Sequence, residues 1–308
     1  MKIIIAGGSG LIGTQLSNFL AEKGHHVDIL TRSPDQEISA PDSIRLIKWD
    51  ARTSSGWLAA AEKADAVINL AGENIAGKGF FPQPWSPERR SSILKSRVQV
   101  GEAITQTLKE TKHKPAVLIQ ASAIGYYGSG HSDEKLTERS PAGSGFLPEV
   151  CEAWELSTKP VEDLGVRRAV CRLGIVLDPQ GGALQRMILP YTYFLGGPYG
   201  NGEQWYSWIH IHDVIRAIYF LLTDHSASGV FNLTAPEPQK NRDFAHLLGK
   251  VLGRPSLVPV PGFILRTLFG EVSSVVLEGQ RVYPERLQKH GFSFAHPELF
   301  PALKALLD

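Results

Sequence analysis

"IIIAGGSGLIGTQL" (residues 3–16) decides the fold. Ile3, Ile4 and Ile5 form an unbroken apolar run, the pattern of a strand buried on both faces of a parallel sheet. The run breaks into Gly7, Gly8, Ser9 and Gly10. It resumes as a helix on which Leu11, Ile12, Leu16, Phe19 and Leu20 recur at helical spacing, until Gly24 ends it. "HVDILTR" (26–32) then reads as a second strand. Strand, glycine turn, helix and strand in this order form the context that a phosphate-binding loop needs. Gly7 permits a tight turn out of the strand, Gly10 lets the backbone approach a pyrophosphate, and Gly13 lets the helix pack close to the sheet. The helix N-terminus then offers free N–H groups and a positive dipole end. Residues Gly7, Gly8, Ser9, Gly10, Leu11, Ile12 and Gly13 are therefore the first candidate cofactor contacts.

The end of the second strand points to the cofactor. An NAD site places an acid there to bond the ribose 2′-hydroxyl. Here the chain reads Thr31-Arg32-Ser33, a guanidinium and hydroxyls suited to a 2′-phosphate, which favours NADP(H). The nearest carboxylates are Asp28, inside the strand, and Asp35, beyond Pro34.

Further strands read at 44–50, 64–72, 115–129, 167–177 and 229–236, with Asp50 closing the third where an adenine would lie. Strands alternating with helices predict an α/β fold, a Rossmann-type doubly wound parallel sheet. In such a sheet the loops at 7–13, 31–33, 71–76 and 121–128 converge beyond the strand ends. Residues 1–177 form the nucleotide-binding domain, to which strand 229–236 returns. Residues 178–308 form a smaller substrate-side lobe, with a C-terminal domain from about 250. The helix in 85–108 opens on Ser86 as N-cap and Pro87. Arg90 and Arg97 share one of its faces and read as solvated charges, with Ser96 and Arg97 as the alternative reach to an anionic group.

The chain has 308 residues, 43% hydrophobic and 20% charged, as in soluble globular proteins. A net charge of +1 lacks the basic surplus of a nucleic-acid binder. Two cysteines, Cys151 and Cys171, exclude a disulfide framework and suit a reducing, cytoplasmic setting, and no signal peptide is expected ahead of Lys2. No apolar run reaches the ~20 residues of a membrane span. The most apolar late stretch, 257–279, is cut by Pro259, Pro261, Arg266 and Glu271, and reads as the core of a lobe rather than a membrane contact. No spacing of His, Cys or Asp suggests a metal.

The spacing Gly7, Gly10, Gly13 resembles the extended short-chain dehydrogenase/reductase superfamily, and Asn69-Leu70-Ala71-Gly72 resembles its N-x-A-G turn beside the cofactor. Such enzymes carry a Ser or Thr after the fifth strand and Tyr-x-x-x-Lys on the next helix, the Lys lowering the Tyr pKa from about 10. Ser122 fits the first role, but no tyrosine here is followed by Lys at that spacing. The slots fall near Cys151 and Glu155, and a carboxylate raises rather than lowers a neighbouring acid's pKa. "GGSGLIG", "WSPERRSSILKSR", "SAIGYYG", "FLPEVCEAWE", "GNGEQWYSWIHIHD" and "FNLTAPEP" together resemble the atypical short-chain dehydrogenases labelled epimerase family proteins. That resemblance implies a Rossmann fold, NADP(H) and a small-molecule substrate without the usual active-site pair. Ser122, Tyr126 and Tyr127 are the candidate catalytic groups, at most one of the two phenols facing the cofactor. Cys151 reads as a buried small hydrophobe. In "WIHIHD" the alternation Trp208, His210, His212 reads as strand, with His210 available to a substrate and Asp213 as a link between lobes.

Overall fold

The computed structural model describes residues 1–34, 41–77, 79, 81–130 and 133–308, so Asp35 lies outside the described residues. The chain runs β1 (Lys2–Ala6), α1 (Leu11–Glu22), β2 (His26–Thr31), β3 (Ile44–Lys48), β4 (Ala66–Asn69), α2 (Pro87–Glu110), β5 (Val117–Ala123), α3 (Phe146–Ser157), β6 (Arg167–Leu173), α4 (Gly182–Thr192), α5 (Ile211–Thr223), β7 (Gly229–Leu233) and α6 (Asn241–Leu252), with shorter elements between and after them.

The first seven strands named form one parallel sheet in the order β7-β6-β5-β4-β1-β2-β3. From β1 the chain winds outward through β2 and β3, then crosses back to β4 on the other side. The crevice beyond the ends of β1 and β4 is therefore the topological switch point where such sheets bind ligands. The inner strands are buried on both faces, the edge strand β3 is not, and period two divides them. Ile3, Ile5, Ile29, Ile68, Ile119, Cys171 and Phe231 pack beneath α1 and α5. Ile4, Ala6, Leu30, Val67 and Leu118 pack beneath α2.

The single strand expected over 167–177 is broken at Gly174. A Cβ there would lie 2.4 Å from the Ser207 carbonyl oxygen, so the backbones meet too closely for any side chain. Beyond it Ile175–Asp178 leaves the main sheet and pairs with Trp208–His210. A second core gathers there from Leu184 and Tyr191 of α4, Trp208, Phe244 and Leu248 of α6, and Leu299 and Leu303 of the last helix, Leu299–Leu307.

Two expectations from the sequence are corrected. The strand reading of "WIHIHD" fails after His210, because its Nδ1 accepts the N–H of His212 (3.0 Å) and caps α5, which begins at Ile211. The stretch 257–279 is not a lobe core: its helix, Gly262–Phe269, buries none of its residues. None of its residues joins the second core, which the last helix closes instead; Val272 and Phe269 pack with Trp85, Ile93 and Val150.

His210 is structural. Its ring stacks on His296 with centroids 3.8 Å apart, and its Nε2 is buried without a hydrogen-bond partner among the described residues. Asp213, fully buried, accepts the N–H groups of Ala295 (2.9 Å) and His296 (2.8 Å) and pairs with Arg216, tying the C-terminal segment to α5. Burial, and then the neighbouring His296, push the His210 pKa down to about 4 from 6.5. The folded state thus refuses a proton that the unfolded chain binds, so this group lowers stability as pH falls from about 6.5 to about 4 and levels off below. The full loss is about 3 kcal/mol. Unfolding midpoints of wild type and His210→Gln, followed from about pH 7.5 to about pH 4, should converge across that window; parallel curves would refute the assignment.

Candidate functional site

The site begins at the glycine turn. Gly7 has φ +81°, and a Cβ on it would lie 2.8 Å from Leu70 C and Ala71 N, so the turn after β1 presses on the turn after β4. A Cβ on Gly13 would lie 2.4 Å from the Gly7 oxygen, and this contact sets how closely α1 meets the sheet. Gly10 differs. Its φ is −81°, and a Cβ would touch only the Gly7 oxygen, at 3.4 Å. Gly10 is the N-cap of α1, no side chain caps the first turn, and no acidic residue stands there. Gly8 is buried on Ile29, Ser9 and Gly10 are exposed, and Leu11 and Ile12 are half-buried, Leu11 against Gly181. An uncapped helix N-terminus without a competing acid, floored by close-packed glycines, fits a pyrophosphate.

Thr31 closes β2, and Arg32 and Ser33 beyond it are exposed. The N–H of Trp49 donates to the Thr31 carbonyl (2.8 Å), which brings Asp50 to the same edge. Asp50 is exposed and committed locally: its carboxylate accepts from the N–H groups of Arg52 (2.8 Å) and Thr53 (2.9 Å), bonds that hold its pKa below the ordinary carboxylate value.

On the other wall, Asn69 receives the N–H of Ala71 (3.2 Å) and donates to Gln120 (3.0 Å), shaping the Leu70-Ala71-Gly72 turn. Arg97 lies directly below this turn. The expectation of a solvated charge is corrected here, because Arg97 is 9% exposed, donates to the carbonyls of Ile93 (2.9 Å) and Glu73 (3.0 Å), and stacks 4.9 Å over the Trp154 ring. A Cβ on Gly72 would stand 3.1 Å from the Arg97 Cζ. Only glycine lets the turn settle on the guanidinium. Arg90, by contrast, reaches across to Glu271.

Beyond β5 the structure assembles a polar network that sequence reasoning named only in part. Parallel register sets Ser122, Arg172 and Asn232 abreast on three neighbouring strands. Glu155 of α3 faces them, accepting the Ser122 hydroxyl (2.7 Å) and both arms of the Arg172 guanidinium (2.8 and 2.9 Å). Arg172 also donates to the Tyr127 hydroxyl (3.1 Å), which in turn donates to Asn232 (2.7 Å). The guanidinium carbon lies 3.3 Å from the centroid of the Tyr126 ring. Ser122 and Tyr127 are buried, while Tyr126 is half-buried.

Burial raises the Tyr127 pKa to about 12. Burial, with Glu155 nearby, raises the Cys151 thiol to about 12 as well, so it stays protonated at neutral pH. Arg172 and Asn232 were missed by sequence reasoning. The available signal was Arg172, set between the apolar runs "AVC" and "LGIVL" of the strand stretch 167–177. Among the described residues, no group of three or more His, Cys, Asp or Glu could hold a metal, and no helix is long and apolar enough to cross a membrane.

A doubly wound parallel sheet with an open glycine turn at its switch point defines a Rossmann-type dinucleotide-binding protein. Comparison with known proteins makes this specific. Residues 3–145 match the NAD dependent epimerase/dehydratase family, and residues 260–306 match a domain of unknown function. An epimerase family protein of Staphylococcus aureus (strain MRSA252) is 38% identical over 308 residues, covering 100% of this chain and 99% of the relative. The human epimerase family protein SDR39U1, solved with NADPH, is 31% identical with a TM-score of 0.88, covering 100% and 99% of the two chains. The UDP-glucose 4-epimerase of Thermus thermophilus, at 17% identity and a TM-score of 0.78, covers 100% and 98% of the two chains and shares the fold. The chain belongs to the NAD-dependent epimerase/dehydratase family.

Glu155→Gln should leave Arg172 as a buried cation without its counter-charge. Removing one member of a buried pair costs about 3–5 kcal/mol. Denaturant unfolding of the variant should show a loss of that size, and a stability within about 1 kcal/mol of wild type would mean the pair is dispensable.

Proposed function

We propose that this protein binds NADP(H) and catalyses the oxidoreduction or epimerisation of a small molecule. The observation that carries the cofactor reading is the end of β2, where Arg32 and Ser33 stand exposed with no carboxylate among residues 31–34. A guanidinium there pairs with a 2′-phosphate that an acid would repel. The human relative solved with NADPH supports the same choice. Gly7 to Gly13 would hold the pyrophosphate, Thr31, Arg32 and Ser33 the 2′-phosphate, and Asp50 would lie near the adenine. Leu70, Ala71 and Gly72 would flank the cofactor, with Arg97 supporting Gly72 from below.

A nicotinamide bound there supplies or accepts a hydride. The chain's part is to orient a substrate oxygen and move its proton. Tyr126 suits that role better than Tyr127, whose hydroxyl is buried and held by both Arg172 and Asn232. Ser122 gives its proton to Glu155, which leaves only lone pairs to receive a substrate hydroxyl.

A second reading is a cofactor-binding sensor or regulator with little turnover. The specific observation behind it is that Ser122, Glu155, Arg172 and Tyr127 satisfy one another in the interior. NADPH absorbance separates the two readings: it falls when a metabolite pool is added to an enzyme, and holds steady for a sensor.

NADPH should bind about ten- to a hundredfold more tightly than NADH, the worth of one charge-assisted contact of about 1.5–3 kcal/mol. Arg32→Ala should erase the preference, and equal affinities in wild type would sink the NADP(H) reading. Gly10→Val should fold normally, since its Cβ site is nearly open, yet lose cofactor binding because the side chain fills the pyrophosphate position. Unchanged NADPH affinity by calorimetry would place the cofactor elsewhere. In a turnover assay Tyr126→Phe should lose ~10²–10⁴ in rate with NADPH binding retained. Normal turnover by this variant would remove the phenol from the chemistry.

A further inference from the structure

The stretch 256–275 and the residues after α4 build a surface that the proposed oxidoreduction does not use. Of the twelve large apolar side chains exposed among the described residues, nine lie in residues 193–195 and 257–275. Leu257 is 81% exposed, Phe263 70%, Tyr193 68% and Leu268 62%. The two segments are joined through their main chains: Val258 N–H donates to the Gly196 carbonyl (3.0 Å), and Val260 N–H donates to that of Pro198 (2.9 Å). They therefore form one patch, crossed by the helix Gly262–Phe269 with no buried residue. Contiguous exposed apolar surface of this kind marks a contact site.

Charge selects the occupant. Residues 193–202 carry no charge, and from 254 to 275 the charged residues are Arg254, Arg266 and Glu271, the last already paired with Arg90. The Arg254 guanidinium lies 4.4 Å over the ring of Phe194, which sets a cation among the apolar groups. Two copies meeting through this face would bring like charges together, an arrangement that costs energy. Aromatic and aliphatic side chains rimmed by Arg254 and Arg266, with the one carboxylate held by Arg90, match the interface of an anionic bilayer, where apolar groups enter the headgroup boundary and each cation adds attraction. We propose that the face formed by residues 193–195 and 257–268 docks the protein on an anionic lipid surface, without spanning it.

The test is cosedimentation of the full chain with vesicles of phosphatidylcholine alone and with about one third phosphatidylglycerol, at low and high salt. The expected result is binding to the anionic vesicles that weakens at high salt. Phe263→Asp/Leu268→Asp should bind at least tenfold more weakly while keeping the wild-type circular dichroism and unfolding midpoint, since both positions are exposed. No binding by wild type, or equal binding by the variant, overturns the proposal. So does a concentration-dependent dimer, seen by light scattering, that the variant converts to monomer, because a second copy would then cover the face.

Discussion

Arg172 places a permanent charge in the interior, and the far half of the sheet is arranged around it. A guanidinium taken from water needs a counter-charge and partners for its N–H groups. Glu155 supplies the charge from α3, Tyr127 accepts a further hydrogen bond, and Tyr126 lays its ring against the remaining face. One side chain thereby fixes the position of α3 against β6 and the conformation of the turn after β5. Glu155 holds Arg172 through both of its oxygens and accepts the Ser122 hydroxyl as well.

The cofactor side follows a different rule, in which close backbone approach matters more than side-chain chemistry. Gly7 touches the turn after β4, Gly13 touches Gly7, and Gly72 rests on Arg97. Each contact removes the space a Cβ would need, so β1, α1, β4 and α2 are held at short distances around the crevice. Gly10 is the exception, open on its outer side and therefore free to meet a ligand. Rigid contacts below and an open N-terminus above suit the pyrophosphate of the proposed cofactor.

The C-terminal region divides its work. The last helix buries Leu299 and Leu303 in the second core, and residues 295–296 are pinned by the buried Asp213. The apolar helix Gly262–Phe269 remains outside that core, while Phe269 at its end and Val272 beyond it pack with Trp85, Ile93 and Val150. A chain can therefore carry a strongly apolar segment that contributes little to its own interior.

By itself the sequence determined the nucleotide-binding architecture. The run Ile3–Ile5, the glycine spacing and the period of α1 are local signals, and local periodicity reports which faces of an element are buried. The start of α2 was legible for the same reason: the Ser86 hydroxyl accepts the Arg89 N–H at 3.3 Å, as its cap role requires. What stands opposite a face is a different matter. Arg97 looked solvated because a helical wheel does not show that the Gly72 turn and the Trp154 ring cover it. The Ser122–Arg172–Asn232 row depends on the register of three strands spread over more than a hundred residues. The end of the sheet at Gly174 depends on the Ser207 backbone passing 2.4 Å from an absent Cβ. Phe263 and Leu268 are exposed while the last helix, not theirs, supplies the second core. These features are contacts between distant segments, and only the tertiary structure decides which segments meet.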